Sequence, residues 1–399
     1  MRAINVIWRI GLDAFIVGWG HTPFGKLDGL DLETLIKTAA QQALANAGVG
    51  GTDVDGVWLG NFNSGLVPDG FCSSMILHAD PGLRFKPAIR CENACASGAS
   101  ALYSALDAVN SGRCRIALVV GAEKMTGLDT AGVTKALGGA SYQAEEGGMT
   151  FPQIFARFAQ AYHDNFEDPT EAMAHIAVKN HANALLNPLA HMRKAVDFDF
   201  CRSVSDRNPM IAAPLKLSDC SLISDGAAAV VIAHRSVLGD FKRAVGFRAA
   251  ELVSDYLPLS AKRLEHFEGP TIAIQRAYQK AGISVENLGV AEVHDCFTIA
   301  ELLSVEALGL ALPGQGSAVV REGQTERGGR LPINLSGGLK AKGHPVGATG
   351  VSMHVMVARQ LLGEADDMQL GKRPELGLCL NLGGGAVTSA VSVLELVKE

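Results

Sequence analysis

The feature that most constrains the fold of this chain is an internal repeat of strand and helix patterns. In the first half a predicted helix ends at Ala47-Gly48-Val49, and in the second half another ends at Ala281-Gly282-Ile283. A further helix follows in each half, and these helices close at Gly112 and Gly363. Because strands alternate with helices, this order predicts two βαβ halves with mainly parallel sheets, covered by helices on both faces.

A cysteine lies at the junction of a predicted strand and a predicted helix in the first half. Residues 87–90 are a short apolar run that indicates a buried strand, and residues 96–110 have the small, apolar pattern of a helix. Cys95 therefore faces unpaired backbone N–H groups and a helix dipole, which lower the pKa of a thiol from its usual value of about 8.5. A lone cysteine is as often a packing residue, so both interpretations stay open here.

The matching place in the second half holds a histidine. His344 precedes a predicted helix and has a glycine three residues later, as Cys95 does. Two halves related by a pseudo-twofold axis would place both residues at helix N-termini that face each other. We therefore expect Cys95 and His344 to form a thiolate–imidazolium pair.

The region of about residues 124–217 differs from both halves in composition. It holds more charged and aromatic residues, and its helical patterns, at roughly 151–165 and 169–187, are separated by irregular pieces. We interpret it as a loop domain inserted into an N-terminal half of residues 13–236. A C-terminal half of residues 237–399 follows.

Composition and charge exclude several classes of protein. The net charge is −6 without a long basic run, which argues against nucleic acid as a partner. No apolar run is long enough to span a membrane, and the eight cysteines lack the spacing of a disulfide framework. Residues 1–12 are typical of an N-terminal extension or an upstream start rather than a secretory signal, so we expect a cytoplasmic protein.

Three further loops carry chemically active residues. Residues 292–297, Glu-Val-His-Asp-Cys-Phe, follow a predicted strand at its carboxyl end, where α/β folds place their sites. Residues 337–347 are rich in glycine and contain His344. Residues 381–386 form a glycine turn whose backbone N–H groups can face a ligand.

Taken together, these motifs resemble the thiolase family. They occur in the family order over about residue 14 to the end, as Cys-Ala-Ser-Gly at 95–98, His-Asp-Cys-Phe at 294–297, Gly-His-Pro at 343–345 and the glycine loop at 381–386. His-Asp-Cys-Phe, in place of Asn-Glu-Ala-Phe, is similar to the sterol-carrier-protein type and its bacterial and archaeal relatives. The resemblance implies duplicated βαβ halves in a five-layer αβαβα arrangement with an inserted loop domain, assembled as a homodimer or homotetramer.

The resemblance also implies a reaction, the reversible Claisen condensation of acyl-CoA, such as acetyl-CoA, or thiolytic cleavage of 3-ketoacyl-CoA. Cys95 would carry the acyl group, with His344 as its base, and Cys296 would move the proton of the α-carbon. His294 and His344 would stabilise the enolate oxygen. The backbone N–H groups of Cys95 and Gly383 would bind the tetrahedral oxyanion.

One position departs from the pattern of conventional thiolases, which carry a second cysteine two residues before the first glycine of the last loop. Asn381 occupies that position here, and Cys379 lies two residues earlier, on the same strand face but deeper. We therefore predict that Cys296 is the acid–base residue and that Cys379 is structural. Packing roles for His294, His344 and Cys296 remain as alternatives.

The resemblance implies that CoA thioesters are the substrates and that the reaction needs no metal or redox cofactor. CoA would lie against the inserted region, through residues that the sequence does not identify. A zinc site of Cys91, Cys95, His294 and Cys296 is a weak alternative, since the paired spacing of structural zinc ligands is absent.

Two rival functions use the same residues. A decarboxylating ketoacyl synthase also uses one cysteine and two histidines, but it has no need of Cys296, because decarboxylation itself generates the carbanion. An acyl-CoA-binding subunit of a larger complex, for instance with a small OB-fold partner, is the second rival. Retention of Cys95, Cys296 and His344 argues against an inactive subunit.

Overall fold

The computed structural model describes residues 12–399, so the extension predicted for residues 1–12 lies almost wholly outside the described part. The strands are β1 (Ala14–His21), β2 (Gly56–Gly60), β3 (Ala88–Cys91), β4 (Ile116–Glu123), β5 (Met210–Ala212), β6 (Leu215–Lys216), β7 (Gly226–His234), β8 (Ala244–Ser254), β9 (Val290–Val293), β10 (Leu376–Gly383) and β11 (Thr388–Lys398). The helices are α1 (Leu32–Ala47), α2 (Ser97–Asn110), α3 (Thr130–Gly138), α4 (Gln143–Glu146), α5 (Phe151–Asn165), α6 (Thr170–Leu185), α7 (Phe198–Arg202), α8 (Glu268–Ala281), α9 (Thr298–Ala307), α10 (Gly316–Arg321) and α11 (Thr349–Leu362).

Nine strands form one sheet in the order β3-β2-β4-β7-β1-β8-β11-β10-β9. The two halves meet where β1 pairs with β8, at Phe15 opposite Gly246 and Ile16 opposite Val245. The prediction of mainly parallel pairing is wrong. Among the described strand pairs of this sheet, β2–β3, β2–β4 and β9–β10 are parallel and the other five are antiparallel. β11 follows β10 after a tight turn, and a connection that short joins only antiparallel strands.

The helices cover the sheet in layers. In the first half α1 and α2 lie on opposite faces, since Leu118 and Val120 pack with α1 whereas Ala117 and Val119 pack with α2. α8 packs on β8 and β11, and α2 and α11 pack against each other between the two halves. This is the five-layer αβαβα arrangement that the family resemblance implies.

The helix ends confirm the repeat. Asp31 begins α1 by accepting a hydrogen bond from the N–H of Thr34 at 2.8 Å, and the helix ends at Gly48 with a φ of 74°. Gly282 ends α8 with a φ of 66°, and Gly363 ends α11 with a φ of 74°. Glycine adopts this left-handed conformation without a steric penalty, so it terminates helices at equivalent places in the two halves.

The strand before Cys95 is not buried as predicted. β3 is the edge strand of the sheet and pairs with β2 on one side, and Ile89 is 40% exposed. Burial of an apolar run depends on the order of strands in the sheet, which the run itself does not specify.

Residues 124–217 contribute no strand to the nine-stranded sheet within the described chain. They hold α3 to α7 and the two-stranded sheet of β5 and β6, and the predicted helix at 151–165 is confirmed as α5. α5 contacts α9, and α6 contacts α9, α10 and a π-helical turn at Gly338–Lys342. The boundaries at 13–236 and 237–399 stay predictions. No described helix is long and apolar enough to cross a membrane.

Candidate active site

Cys95 lies in the tight turn that connects β3 to α2. Ala94 has a φ of 49°, a left-handed conformation that costs a residue other than glycine about 1–2 kcal/mol. The turn is held by the hydroxyl of Ser97, which donates to the carbonyl of Ala94 at 2.6 Å and accepts from the N–H of Asn93 at 2.9 Å. This strained turn directs the thiol into a cavity rather than along the helix.

The cavity has a volume of about 260 Å³ and is lined mainly by apolar side chains. Cys95, Cys296 and His344 line its wall together with Gly384, and Phe155 stacks on Phe297 with ring centroids 4.7 Å apart. The cavity therefore brings both predicted thiols to one apolar space.

His344 faces this cavity with a defined tautomer. Thr349 donates its hydroxyl proton to the carbonyl of Pro345 at 3.0 Å, so its oxygen accepts the Nδ1–H of His344 at 2.8 Å. Nε2 of His344 is buried without a partner in the described part of the chain and carries the free lone pair. Burial and the charge of Lys342 lower the pKa of His344 to about 3, so the ring is a neutral base.

The predicted helix start at His344 is wrong. α11 begins at Thr349, and a turn of residues 345–348 precedes it. Cys95 lies two residues before α2 and His344 lies five residues before α11, so the two positions match in order but not in local geometry.

Three side chains of the site converge. The sulfur of Cys95 and one ring nitrogen each of His294 and His344 all lie within 4.8 Å of one another. The two imidazole rings are 5.0 Å apart and meet edge to face at 84°. These donors could hold a thiophilic metal ion, but the alternative zinc set that included Cys91 and Cys296 is not assembled among residues 12–399.

The thiol of Cys95 does not have the lowered pKa expected from its place near a helix. Burial raises its pKa to about 12, and the backbone N–H of Gly384, which hydrogen bonds to the sulfur, offsets only part of this shift. Desolvation outweighs the helix end here. The sulfur therefore needs a base to take its proton as it attacks. His344 has a ring nitrogen within 4.8 Å of the sulfur, and its Nε2 is the nitrogen that is left to accept.

Cys296 is 6% exposed and lies in the loop after β9. Burial, followed by the proximity of Cys95 and Asp295, raises its pKa well above the usual value. Asp295 serves the loop that leads to His344, since its carboxylate accepts the backbone N–H of Leu339 at 2.6 Å. Cys379 is completely buried in the core and does not line the cavity.

Sequence reasoning missed Glu123, which joins the two halves at the site. This fully buried carboxylate accepts the backbone N–H groups of Phe62 at 2.9 Å, Asn63 at 3.0 Å and Gly347 at 3.1 Å. Burial raises its pKa to about 7. The sequence feature that could have identified Glu123 is a single acidic residue at the end of the apolar strand β4.

Comparison with known proteins places all four motifs inside matched regions. The family model "Thiolase, N-terminal domain" matches residues 14–197, and "Thiolase C-terminal domain-like" matches residues 254–396. The chain is 37% identical to acetyl-CoA acetyltransferase of Methanothermobacter thermautotrophicus, covering 96% of this chain and 99% of that protein. It is 30% identical to sterol carrier protein 2 of Homo sapiens, covering 94% and 71%.

Solved structures share the fold at lower sequence identity. The Ltp2-ChsH2(DUF35) aldolase superposes with a TM-score of 0.82 at 24% identity, covering 96% of this chain and 97% of that one. The Acat5 thiolase from Ascaris suum in complex with coenzyme A gives a TM-score of 0.73 at 16% identity, covering 96% and 100%.

Proposed function

The chain belongs to the thiolase family of acyltransferases, and we propose that Cys95, His344, His294 and Cys296 are the residues that carry out its reaction. The reaction is the reversible Claisen condensation and thiolytic cleavage between acyl-CoA and 3-ketoacyl-CoA. The observation that carries the assignment is the convergence of the Cys95 sulfur with two imidazole nitrogens, within 4.8 Å, beside a cavity that Cys296 also lines.

Cleavage begins with a nucleophilic attack. Nε2 of His344 takes the proton of Cys95, and the sulfur attacks the 3-keto carbon of the substrate. The bond between the α- and β-carbons then breaks, which leaves an acyl group on Cys95 and an enolate of acetyl-CoA. The thiol of Cys296, which is neutral because of its burial, donates its proton to the α-carbon of that enolate.

The second half of the cycle restores the enzyme. The thiolate of Cys296 takes the proton of an incoming CoA thiol, and the CoA sulfur attacks the acyl group on Cys95. Cys95 leaves as a thiolate and regains its proton from His344. Cys95 regains its own proton, and Cys296 receives the CoA proton in place of the one it gave to acetyl-CoA, so both thiols are restored; condensation is the same sequence in reverse.

Fixed donors would stabilise the oxyanions. We assign the enolate oxygen to His294 and to His344, whose Nε2 holds the proton of Cys95 once the sulfur has attacked, and the tetrahedral oxyanion to the backbone N–H groups of Cys95 and Gly383. The N–H of Gly384 already hydrogen bonds to the sulfur of Cys95, which supports this glycine turn as the donor loop.

The cavity supports acyl groups larger than acetyl. Its volume is about 260 Å³, whereas an apolar cavity of about 150 Å³ holds a benzene molecule. Its lining is mainly apolar and offers few partners for polar groups. We therefore propose 3-ketoacyl-CoA substrates with medium-length or aromatic acyl groups, with CoA against residues 124–217.

The edge of the sheet supports a homodimer. β3 pairs only with β2 among the described strands, and three apolar side chains at or near this edge are exposed, namely Phe71 at 79%, Phe85 at 86% and Ile89 at 40%. A second copy could pair with β3 and cover them. A small OB-fold partner stays a prediction, which co-purification from the native host tests.

The test of the function is CoA-dependent cleavage across 3-ketoacyl-CoA chain lengths, together with mass mapping of the acyl-enzyme. We expect one acyl group, on the peptide that contains Cys95. Turnover with malonyl-CoA but not with acetyl-CoA would favour a decarboxylating synthase instead, and an acyl group on another cysteine in an active Cys95→Ala variant would contradict the assignment.

A further inference from the structure

We infer that Asn381 is a positioning residue that holds His294 in the tautomer with its proton on Nε2, so that His294 can donate to the enolate oxygen. The inference rests on the proposed function, because it concerns a donor for that intermediate. Its basis is one amide nitrogen with two contacts. Nδ2 of Asn381 lies 3.1 Å from the carbonyl oxygen of Cys95 and 3.0 Å from Nδ1 of His294.

The carbonyl oxygen of Cys95 fixes the orientation of the amide. A carbonyl oxygen only accepts hydrogen bonds, so the side of the amide that faces it must be the NH₂ group. Rotation of the amide by half a turn would bring Oδ1 of Asn381 against that oxygen, which is repulsive. One hydrogen of Nδ2 therefore points to Cys95, and the other points to His294.

The tautomer of His294 follows from this orientation. Nδ1 faces a donor and must accept, so the single proton of the neutral ring lies on Nε2. The ring is neutral because burial, together with His344, keeps the pKa of His294 well below its usual value. His294 is thus a donor at Nε2, whereas His344, whose Nδ1 proton goes to Thr349, is an acceptor at Nε2.

Asn381 holds this position at an energetic cost. Its Oδ1 is buried without a hydrogen-bond partner among residues 12–399, and an unsatisfied buried acceptor costs about 1–3 kcal/mol. A Cβ atom at position 350 would lie 2.4 Å from this oxygen, so Gly350 leaves the space that the amide needs. An apolar residue of similar size would avoid the cost, which indicates that the two donated hydrogen bonds are what the position requires.

The tautomer can be tested directly and through the half-reactions. Protein labelled with ¹⁵N-histidine, with the signals of His294 assigned by comparison with His294→Asn, should show the proton on Nε2 in the wild type. In Asn381→Asp a carboxylate oxygen faces Nδ1, so the proton should move to Nδ1. Loss of one such donor typically lowers turnover by about 10²–10³, and Asn381→Ala should lie between the wild type and Asn381→Asp.

The half-reactions separate positioning from structural damage. Acylation of Cys95 by acetyl-CoA does not pass through the enolate, so the Asn381 variants should still acylate while they lose condensation. Cys379→Ala, on the same strand, is the matched control and should keep both. A proton on Nδ1 in the wild type, or unchanged condensation in both Asn381 variants, would overturn the inference. Failure of the wild type to acylate Cys95 would instead overturn the proposed function.

Discussion

His344 donates its Nδ1 proton to the hydroxyl oxygen of Thr349 across 2.8 Å, and this hydrogen bond leaves the lone pair of Nε2 directed to the cavity. Thr349→Val removes the acceptor, so the ring is no longer held in the tautomer that accepts the proton of Cys95. We expect acylation of Cys95 by acetyl-CoA to slow by about tenfold or more, up to the loss of about 10²–10⁴ that follows when a general base is removed altogether.

Thr349→Ser is the control for this prediction. It keeps the hydroxyl and should restore most of the acylation rate, which can be measured by rapid quench and mass spectrometry. Equal rates in Thr349→Val and the wild type would show that the tautomer of His344 is fixed by another contact.

The pH dependence of alkylation distinguishes a neutral pair from an ion pair. The pKa of Cys95 is raised to about 12 and that of His344 is lowered to about 3, so between these values the free enzyme holds a thiol and a neutral imidazole. Only the thiolate reacts with iodoacetamide, so inactivation should rise about tenfold per pH unit between about pH 6 and 9. The thiolate–imidazolium pair expected from the sequence would give a plateau instead.

His344→Ala gives the second arm of this experiment. If the resting pair is neutral, removal of the imidazole should leave the slope of inactivation against pH unchanged. If the inactivation rate shows a plateau with pH in the wild type but not in His344→Ala, the resting pair is a thiolate and an imidazolium ion.

The sequence predicted the parts of the fold that local chemistry determines. Gly48 and Gly282 end helices because glycine tolerates a left-handed conformation, and this preference is visible without a structure. The apolar run before Cys95 gave no information on its neighbours, so its place at the sheet edge was missed. Likewise, direction of pairing in the sheet depends on connections that the repeat did not reveal.

The candidate site divides in the same way. Each motif is a short run that can be recognised in the sequence, and the family order of the motifs predicted that their residues meet at one site. The partners of His294 and His344 were not predicted for two reasons. Asn381 lies 87 residues from His294 and contacts it only through the fold, and Thr349 is near in sequence but belongs to a helix that begins later than expected. The pKa of Cys95 was misjudged because burial depends on the whole cavity, whereas the helix start is visible in the sequence.

The edge strand predicts the oligomeric state. Ile89→Asp places a charge on the exposed face of β3 and should convert a dimer into a monomer, because a buried unpaired carboxylate is strongly unfavourable. Light scattering after gel filtration measures this. Leu312→Asp, at a residue 68% exposed outside the nine-stranded sheet, should leave the mass unchanged. A monomeric wild type would exclude this interface.

The cavity predicts a change in chain-length preference. Val133 on α3 lines the cavity and packs in the same cluster as Cys95. Val133→Phe fills part of the volume, so kcat/KM should fall for substrates with long or aromatic acyl groups and stay near the wild-type value for acetoacetyl-CoA. A uniform loss across chain lengths would show that acyl groups do not occupy this part of the cavity.

The prediction for Cys296 separates the two candidate acid–base thiols. Cys296 lines the cavity with Cys95, whereas Cys379 is wholly buried in the core and does not line the cavity. Cys296→Ala should therefore still become acylated at Cys95 yet lose condensation by about 10²–10⁴, the usual contribution of a positioned acid or base. Cys379→Ala should keep turnover near that of the wild type.

Exchange of the α-protons of acetyl-CoA with deuterated solvent measures the step that Cys296 is expected to perform. Acylation of Cys95 leaves Cys296 as a thiolate, because the departing CoA takes its proton. Exchange then requires only that this thiolate remove and return the α-proton beside the enolate donors, so it reports on Cys296 without formation of a carbon–carbon bond. Exchange should be lost in Cys296→Ala and retained in Cys379→Ala. If Cys379→Ala loses exchange and Cys296→Ala keeps it, the last strand supplies the base as in conventional thiolases, and the role of the His-Asp-Cys-Phe loop is limited to the histidine.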